Sequence, residues 1–326
     1  MSEFHVQVVR VGPIMKHPNA DTLSITHVWD YPLVVRTGDF QEGGLAVYVP
    51  VDSLVPVADP RWAFLDGHNR IKAKRLRGIF SMGLLTPAEP TWIEGQDVAD
   101  ILGITKYEPP DPATMGGENE KDPGFLPVYT DIEGLRRWGE VLVPGEEVVI
   151  TEKVHGACSR FLHRDGRLWV GSHTCIKKQD AANMWWRVAE RYALANCLQA
   201  TPNIAIYGEV YGQVQDLKYG AGRDEYLLTV FDALDTMTRT YLDYDSMVEL
   251  VQRLGLPLVP LLYRGPWSPD LTALANGKTT MPGADHVREG IVIKPVHERF
   301  DERVGRVILK LHGEDYLLRK ETKHAT

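Results

Sequence analysis

Thr151-Glu152-Lys153-Val154-His155-Gly156 follows directly on the apolar run Val148-Val149-Ile150. Three β-branched residues ahead of a charged turn read as a buried strand arriving at its polar end. Lys153 then sits at the mouth of that strand, where a lysine becomes a covalent nucleophile toward a nucleotide phosphate once its amine is neutral. Taken alone, Lys-x-x-Gly reads equally as a solvated lysine at a strand end, so the remainder of the chain has to decide between the two.

The 326 residues, 44% hydrophobic and 25% charged, describe a globular protein long enough for two domains. No uncharged apolar stretch approaches the ~18 residues of a membrane span, and Met1-Ser2-Glu3-Phe4-His5 lacks the basic and apolar regions of a signal peptide. A cytoplasmic protein with no membrane partner is expected. Cys158, Cys175 and Cys197 form no Cys-x-x-Cys pair, which argues against a disulfide framework and against a zinc site. The net charge of −8 excludes indiscriminate coating of nucleic acid. Locally the balance reverses: Arg61, Arg70, Lys72, Lys74, Arg75 and Arg77 face the single acid Asp66, with Trp62, Phe64 and Phe80 interleaved. Such a segment holds phosphates and stacks bases, or is a solvated strand face over core aromatics.

Short alternating segments at 6–11, 23–28, 33–37 and 45–49, parted by Gly, Pro, Asn and Asp, predict a small β domain. From about Ile104 periodicity is lost, and Glu108-Pro109-Pro110-Asp111-Pro112 through Asp122-Pro123-Gly124 reads as a linker. The expected division is 1–104 for the β domain, 105–127 for the linker and 128–326 for a second domain. The second domain is expected to carry strands at 148–150, 159–163, 168–171, 204–207, 226–233, 291–294 and 307–311, and helices at 181–200 and 245–254.

Within that second domain, Glu152-Lys153-Val154-His155-Gly156 is followed by Val170-Gly171-Ser172-His173-Thr174 and Ile206-Tyr207-Gly208-Glu209. Then come Phe231-Asp232, Arg288-Glu289-Gly290-Ile291-Val292-Ile293-Lys294 and Ile308-Leu309-Lys310-Leu311-His312. The series resembles the covalent nucleotidyltransferase superfamily of polynucleotide ligases and RNA capping enzymes, whose motifs run in this order. Histidine at 155 is similar to the phage RNA-ligase-2 and RNA-editing ligases, where DNA ligases and capping enzymes have aspartate. In the first half, His17-Pro18-Asn19-Ala20-Asp21 and residues 70–84 resemble the OB domain preceding the ligase domain in Naegleria-type RNA ligases. Too few residues follow Lys310 to build the C-terminal OB domain of DNA ligases and capping enzymes.

The resemblance implies an α+β protein: an N-terminal OB-fold β-barrel, then an adenylyltransferase domain of antiparallel sheets with flanking helices. It implies a monomeric ATP-dependent RNA ligase that uses Mg²⁺ or Mn²⁺ and seals 3′-OH and 5′-phosphate RNA ends, as in nicked duplexes, for RNA repair. Lys153, His155, Glu289 and Lys310 would be catalytic. Glu152, Gly156, Glu209, Phe231 and Lys294 would join Lys153 and Lys310 around ATP, with Glu209 and Glu289 near the metal and Phe231 on the adenine. Lys72, Lys74, Arg75 and Arg77 would hold RNA. A neutral Lys153 requires its pKa to fall from about 10.4 to about 7 or 8, roughly 3 to 5 kcal/mol, which burial supplies in part and Lys294, Lys310 and the metal would complete. Two positions depart from the family. His173 stands where an arginine is usual and His312 where a lysine is, with Lys320 a candidate to make up the second loss. A GTP-using capping-type transferase and an inactive RNA-binding protein are the alternative readings.

Overall fold

Burial alternates along Leu23–Val28, and the inward set is Ser24, Thr26 and Val28 while Leu23 and Ile25 are half-exposed. The inward hydroxyls are satisfied, Ser24 by the Thr37 hydroxyl at 3.0 Å and Thr26 by the Gly12 carbonyl at 3.1 Å, which makes their burial tolerable. The chain is seen in a computed structural model that describes residues 4–108 and 117–319. Met1-Ser2-Glu3, the 109–116 part of the expected linker and Lys320 lie outside the described residues.

The chain divides into two units, Met1–Pro110 and Asp111–Thr326. In the first, Gln7–Arg10, Leu45–Val49 and Leu84–Pro87 form one antiparallel sheet, and Met15–Lys16, Leu23–Val28 and Tyr31–Arg36 another. A hairpin of Lys74–Leu76 and Ile79–Ser81 turns through Arg77 and Gly78, both at positive φ (50° and 93°), as a two-residue hairpin loop requires. Val34 N–H donates to Ser81 Oγ at 3.0 Å and Met82 N–H to the Pro32 carbonyl at 2.8 Å, tying the hairpin to Tyr31–Arg36.

The core of this unit decides between the two readings of the basic segment for two of its rings. Trp62 is 1% exposed and packs with Val8, Val47 and Ile71, and Phe80 is also buried, so neither ring offers a face to a base. Phe64, at 59% exposure, is the open ring of the three. The basic run is thinned as well: Arg70 bonds Asp52 at 2.7 Å and stacks on Tyr107, and Arg61 reaches Glu89 at 3.3 Å. Lys72, Lys74, Arg75 and Arg77 remain on the surface.

Both described ends of the expected linker are built into structure. Thr105–Lys106 pairs with Ser53–Leu54 in the first unit, and Asn119–Glu120 pairs with Ile176–Lys177 at the edge of the large sheet of the second. That sheet runs Asn119–Glu120, Ile176–Lys177, Arg167–Ser172, Ala157–Arg164, Ile204–Gly212, Tyr226–Asp235, Thr240–Tyr241. Helices Met184–Arg191 and Tyr244–Arg253 cover it through Trp185, Val188, Met247 and Val251. The helix expected over 181–200 breaks at Ala193, which takes φ 48°, and resumes as Leu194–Cys197. Asn183 starts it by capping the Trp185 and Trp186 amides.

A second sheet runs Glu133–Gly134, Leu309–His312, Gly290–Pro295, Glu147–Lys153, Leu261–Pro266, antiparallel except for its first pair. Side chains alternate across it. Val148, Ile150, Ile291, Ile293, Leu309 and Leu311 fill an apolar cluster on one face. Register places Lys153 opposite Gly290, Val149 opposite Lys294, and Val292 opposite both Thr151 and Lys310, so Lys153, Lys294, Lys310 and His312 share the other face.

Candidate active site

Lys153 closes the Glu147–Lys153 strand, and its Nζ donates to Glu289 Oε1 at 2.8 Å. Glu289 is brought there by the register pairing of Lys153 with Gly290. A side chain at 290 would run into the Leu311 carbonyl and sit 2.8 Å from the His312 Cα, so the glycine lets the final strand close against this end of the sheet. From the large sheet comes Glu209, whose side chain lies against Gly156. Gly156 has no room for a Cβ either, since it lies against the Val210 carbonyl.

Charge is unevenly settled at this point. Burial would lower the Lys153 pKa, but Glu289 and Glu209 outweigh it and hold the amine above its ordinary value. Burial likewise works against ionisation of Glu289, yet Lys153 and the neighbouring histidines keep it well below the usual carboxylate range. Glu209 goes the other way: burial, with Lys153 opposing and Glu289 adding, pushes it up to about 7. Glu289 Oε2 is buried without a partner.

His155 is bonded through both ring nitrogens, Nε2 to Asp216 Oδ1 at 2.9 Å and Nδ1 to the Tyr316 hydroxyl at 3.2 Å, with Glu289 at 3.6 Å. Its backbone N–H donates to the Tyr219 hydroxyl at 2.7 Å. Burial opposes protonation, but Asp216 and Glu289 raise the imidazole to about 9. His312 lies 3.7 Å from Glu289 and is stacked on Tyr316; burial keeps its pKa below the ordinary value. Burial, aided by the Arg160 guanidinium, lowers His173 too. Both histidines that replace family cations are therefore weak bases here.

Other expected contacts sit differently. Lys294 is buried, with Nζ 3.1 Å from both Asp232 and Glu298, so its charge is compensated and does not press on Lys153. Arg306 joins that cluster, 2.7 Å from Asp232 and 2.6 Å from Glu298, and Tyr129 donates to Asp232 at 2.7 Å. Phe231 is half-buried with its ring edge-on to Tyr129 at 4.9 Å. Glu152 faces away: its carboxylate takes bonds from the Thr279 hydroxyl and from Thr280 N and Oγ1 at 2.8 and 2.7 Å. Only its main chain is left to offer a ligand. Lys310 is half-exposed on the Lys153 face.

Sequence reasoning missed Asp216, Tyr219, Tyr316 and Arg319. No local pattern marks them, because the contacts to His155 from Asp216 and Tyr316 span 61 and 161 residues.

Carboxylate oxygens at 209 and 289, one of them unpartnered, suit a hard divalent cation. Among the described residues no three His, Cys, Asp or Glu side chains gather as a complete metal site. Such an ion would take its remaining ligands from water and nucleotide phosphates, as Mg²⁺ commonly does.

Both halves of the chain have counterparts among known proteins. Residues 146–312 match the family model described as RNA ligase, and residues 5–88 match one described as an OB-fold domain. Among solved structures, an alanine variant of the Naegleria gruberi RNA ligase with ATP and Mn superposes with a TM-score of 0.85 at 24% identity, covering 96% of this chain and 98% of that one. A second variant with ATP and Mn gives 0.85 at 25% identity, over 97% and 98%. An apo variant gives 0.84 at 25%, over 96% of each. The phenylalanine–tRNA ligase beta subunit of Symbiobacterium thermophilum is 34% identical over 122 residues, a match that takes in 31% of this chain and spans only 13% of that subunit.

Proposed function

Because this chain belongs to the RNA ligase family, we propose that it joins a 3′-hydroxyl to a 5′-phosphate in RNA at the expense of ATP. The observation that carries the reading is the convergence of Lys153, Glu289, Glu209 and His155 at one sheet end, with Lys153 bonded to Glu289 at 2.8 Å. Lys153, its ammonium having given up one proton, attacks the α-phosphorus of ATP through Nζ, forming a P–N bond as pyrophosphate leaves and the nitrogen gives up a second proton, keeping one N–H. A 5′-phosphate oxygen of the RNA then takes the AMP: a P–O bond forms, the P–N bond breaks, and its electron pair returns to Nζ, which picks up a proton. Attack of the 3′-hydroxyl on that phosphate releases AMP and seals the strand.

These are phosphoryl transfers, so in-line placement and neutralisation of charge do most of the work. Lys310 shares the Lys153 face and is assigned to phosphate contact; Phe231 is assigned to the adenine. Glu209 and Glu289 would hold a divalent cation, which when bound supplies positive charge against the phosphates and against the Lys153 ammonium. The surface cations Lys72, Lys74, Arg75 and Arg77 are assigned to RNA phosphates. Nicked duplex is the substrate form proposed, acted on by a monomer in the cytoplasm.

The test is to incubate the protein with Mg²⁺ and α-labelled ATP or GTP and to follow acid-stable label on the protein. ATP is expected to label wild type and to leave Lys153→Ala unlabelled. No label from either nucleotide would overturn the ligase reading, and label from GTP alone would replace it with a capping-type transferase.

A further inference from the structure

Asp216 belongs to none of the motifs around Lys153, yet its side chain is only 10% exposed and is spent on the site. Its Oδ1 accepts from His155 Nε2 at 2.9 Å, and its two oxygens accept from one Arg319 nitrogen at 3.0 and 3.1 Å. Arg319 Cζ lies over the Tyr316 ring, 3.6 Å from its centroid, and the guanidinium also donates to the Tyr316 carbonyl at 2.9 Å. Tyr316 returns to His155 through its hydroxyl at 3.2 Å. Asp216, His155, Tyr316 and Arg319 thus close a ring of contacts, two of its members coming from the helix Glu314–Leu318 and the residue after it.

We propose that Asp216 is a positioning residue for the transfer of AMP from Lys153 to the RNA 5′-phosphate, and that Tyr316 and Arg319 serve the same purpose by locking Asp216 and the His155 ring. The inference rests on the ligase reading above. Its physical content is orientational. An imidazole bonded at one nitrogen swings about that bond, whereas one bonded at both, with its own amide anchored to Tyr219, has a single orientation toward Lys153. Charge reinforces the geometry, since Arg319 compensates the Asp216 carboxylate and keeps it an acceptor. Lys153 Nζ bonds Glu289 and no member of the ring, and the ring approaches that pair only where His155 Nδ1 lies 3.6 Å from the same Glu289 oxygen; on this proposal the weight of the ring falls on the later step.

The experiment separates the steps. Lysyl-AMP formation is measured with labelled ATP, and AMP transfer is measured by adding 5′-phosphate RNA to the isolated enzyme adenylate in a single turnover. Asp216→Ala is expected to slow transfer on the order of 10- to 100-fold, the scale of a misplaced group near the reacting atoms, and at least tenfold more than it slows lysyl-AMP formation. Asp216→Asn keeps an acceptor for His155 and should recover part of the loss. Tyr316→Phe removes one hydroxyl, keeps the stack on His312, and should show the same step selectivity. Adding Arg319→Gln to Asp216→Ala should cost little more than Asp216→Ala alone, because the two act through one contact. Equal slowing of both steps in Asp216→Ala and Tyr316→Phe overturns the proposal, as does wild-type transfer in both. Failure of wild type to form lysyl-AMP overturns the ligase reading itself, an outcome distinct from a labelled wild type with unaffected variants.

Discussion

Lys153 is paired as an ammonium with Glu289 before any nucleotide arrives, so its deprotonation has to accompany binding. The cation expected to help, Lys294, is neutralised by Asp232 and Glu298 in a buried cluster. Removing one member of such a cluster strands its partners: Lys294→Met is expected to destabilise the second unit by about 3 kcal/mol in chemical denaturation, beyond any effect on ATP use. An unchanged denaturation midpoint would return Lys294 to the role of a phosphate contact. At Asp216, burial works against ionisation but the bonds from His155 and Arg319 prevail, and the carboxyl stays well below its ordinary 3.8. A depressed folded-state pKa contributes stability above the unfolded value, and that contribution disappears as pH falls through the folded one. The melting-temperature gap between wild type and Asp216→Asn should therefore be fully open above about pH 5 and narrow as pH drops below 3.8. A gap that stays constant to pH 3 would contradict the assignment.

Among the elements, the sheet carrying Lys153 depends on backbone proximity that no side chain announces. Gly290 lies so close to the Leu311 carbonyl and the His312 Cα that Gly290→Ala must push the last two motif strands apart. Overpacking of this kind costs about 1 to 3 kcal/mol, and here it also moves Glu289 away from Lys153. Lysyl-AMP formation should fall by more than the loss of folded protein measured by circular dichroism; a fall of equal size would assign the glycine to stability alone. Most strands were legible because short apolar runs and alternations are local properties, as in the runs at 148–150 within Glu147–Lys153 and 291–294 within Gly290–Pro295. Leu23–Val28 was found by its alternation, but which residues turn inward was not legible there, since Ser24 and Thr26 meet partners the local pattern does not contain. The helix expected over 181–200 broke at Ala193 for a similar reason: nothing in alanine forbids a helix, and only the packing of Tyr192 and Leu194 on the large sheet turns the chain there.

For the whole molecule, two units divide the labour proposed here, one carrying the surface cations and the other the nucleophile. With Trp62 and Phe80 inside, the RNA recognition proposed for the first unit would rest on phosphates more than on stacking by those two rings. Replacing Lys72, Lys74 and Arg75 together by alanine should reduce the slope of log affinity for nicked RNA against log salt by about 2 to 3 and spare lysyl-AMP formation. Equal loss of binding at every salt concentration would point to misfolding of the hairpin. The sequence by itself determined the order of the motifs and the family they belong to, and it singled out Lys153, Glu209 and Glu289 as candidates, because apolar runs and motif order are written along the chain. Only the tertiary structure decided how those groups are charged and what holds them: that Lys153 rests on Glu289, that Lys294 is consumed by Asp232 and Glu298, and that Asp216, Tyr316 and Arg319 close around His155. Electrostatic environment and ring orientation depend on distances between residues far apart in the chain, and those distances exist only once two sheets have packed and their registers are set.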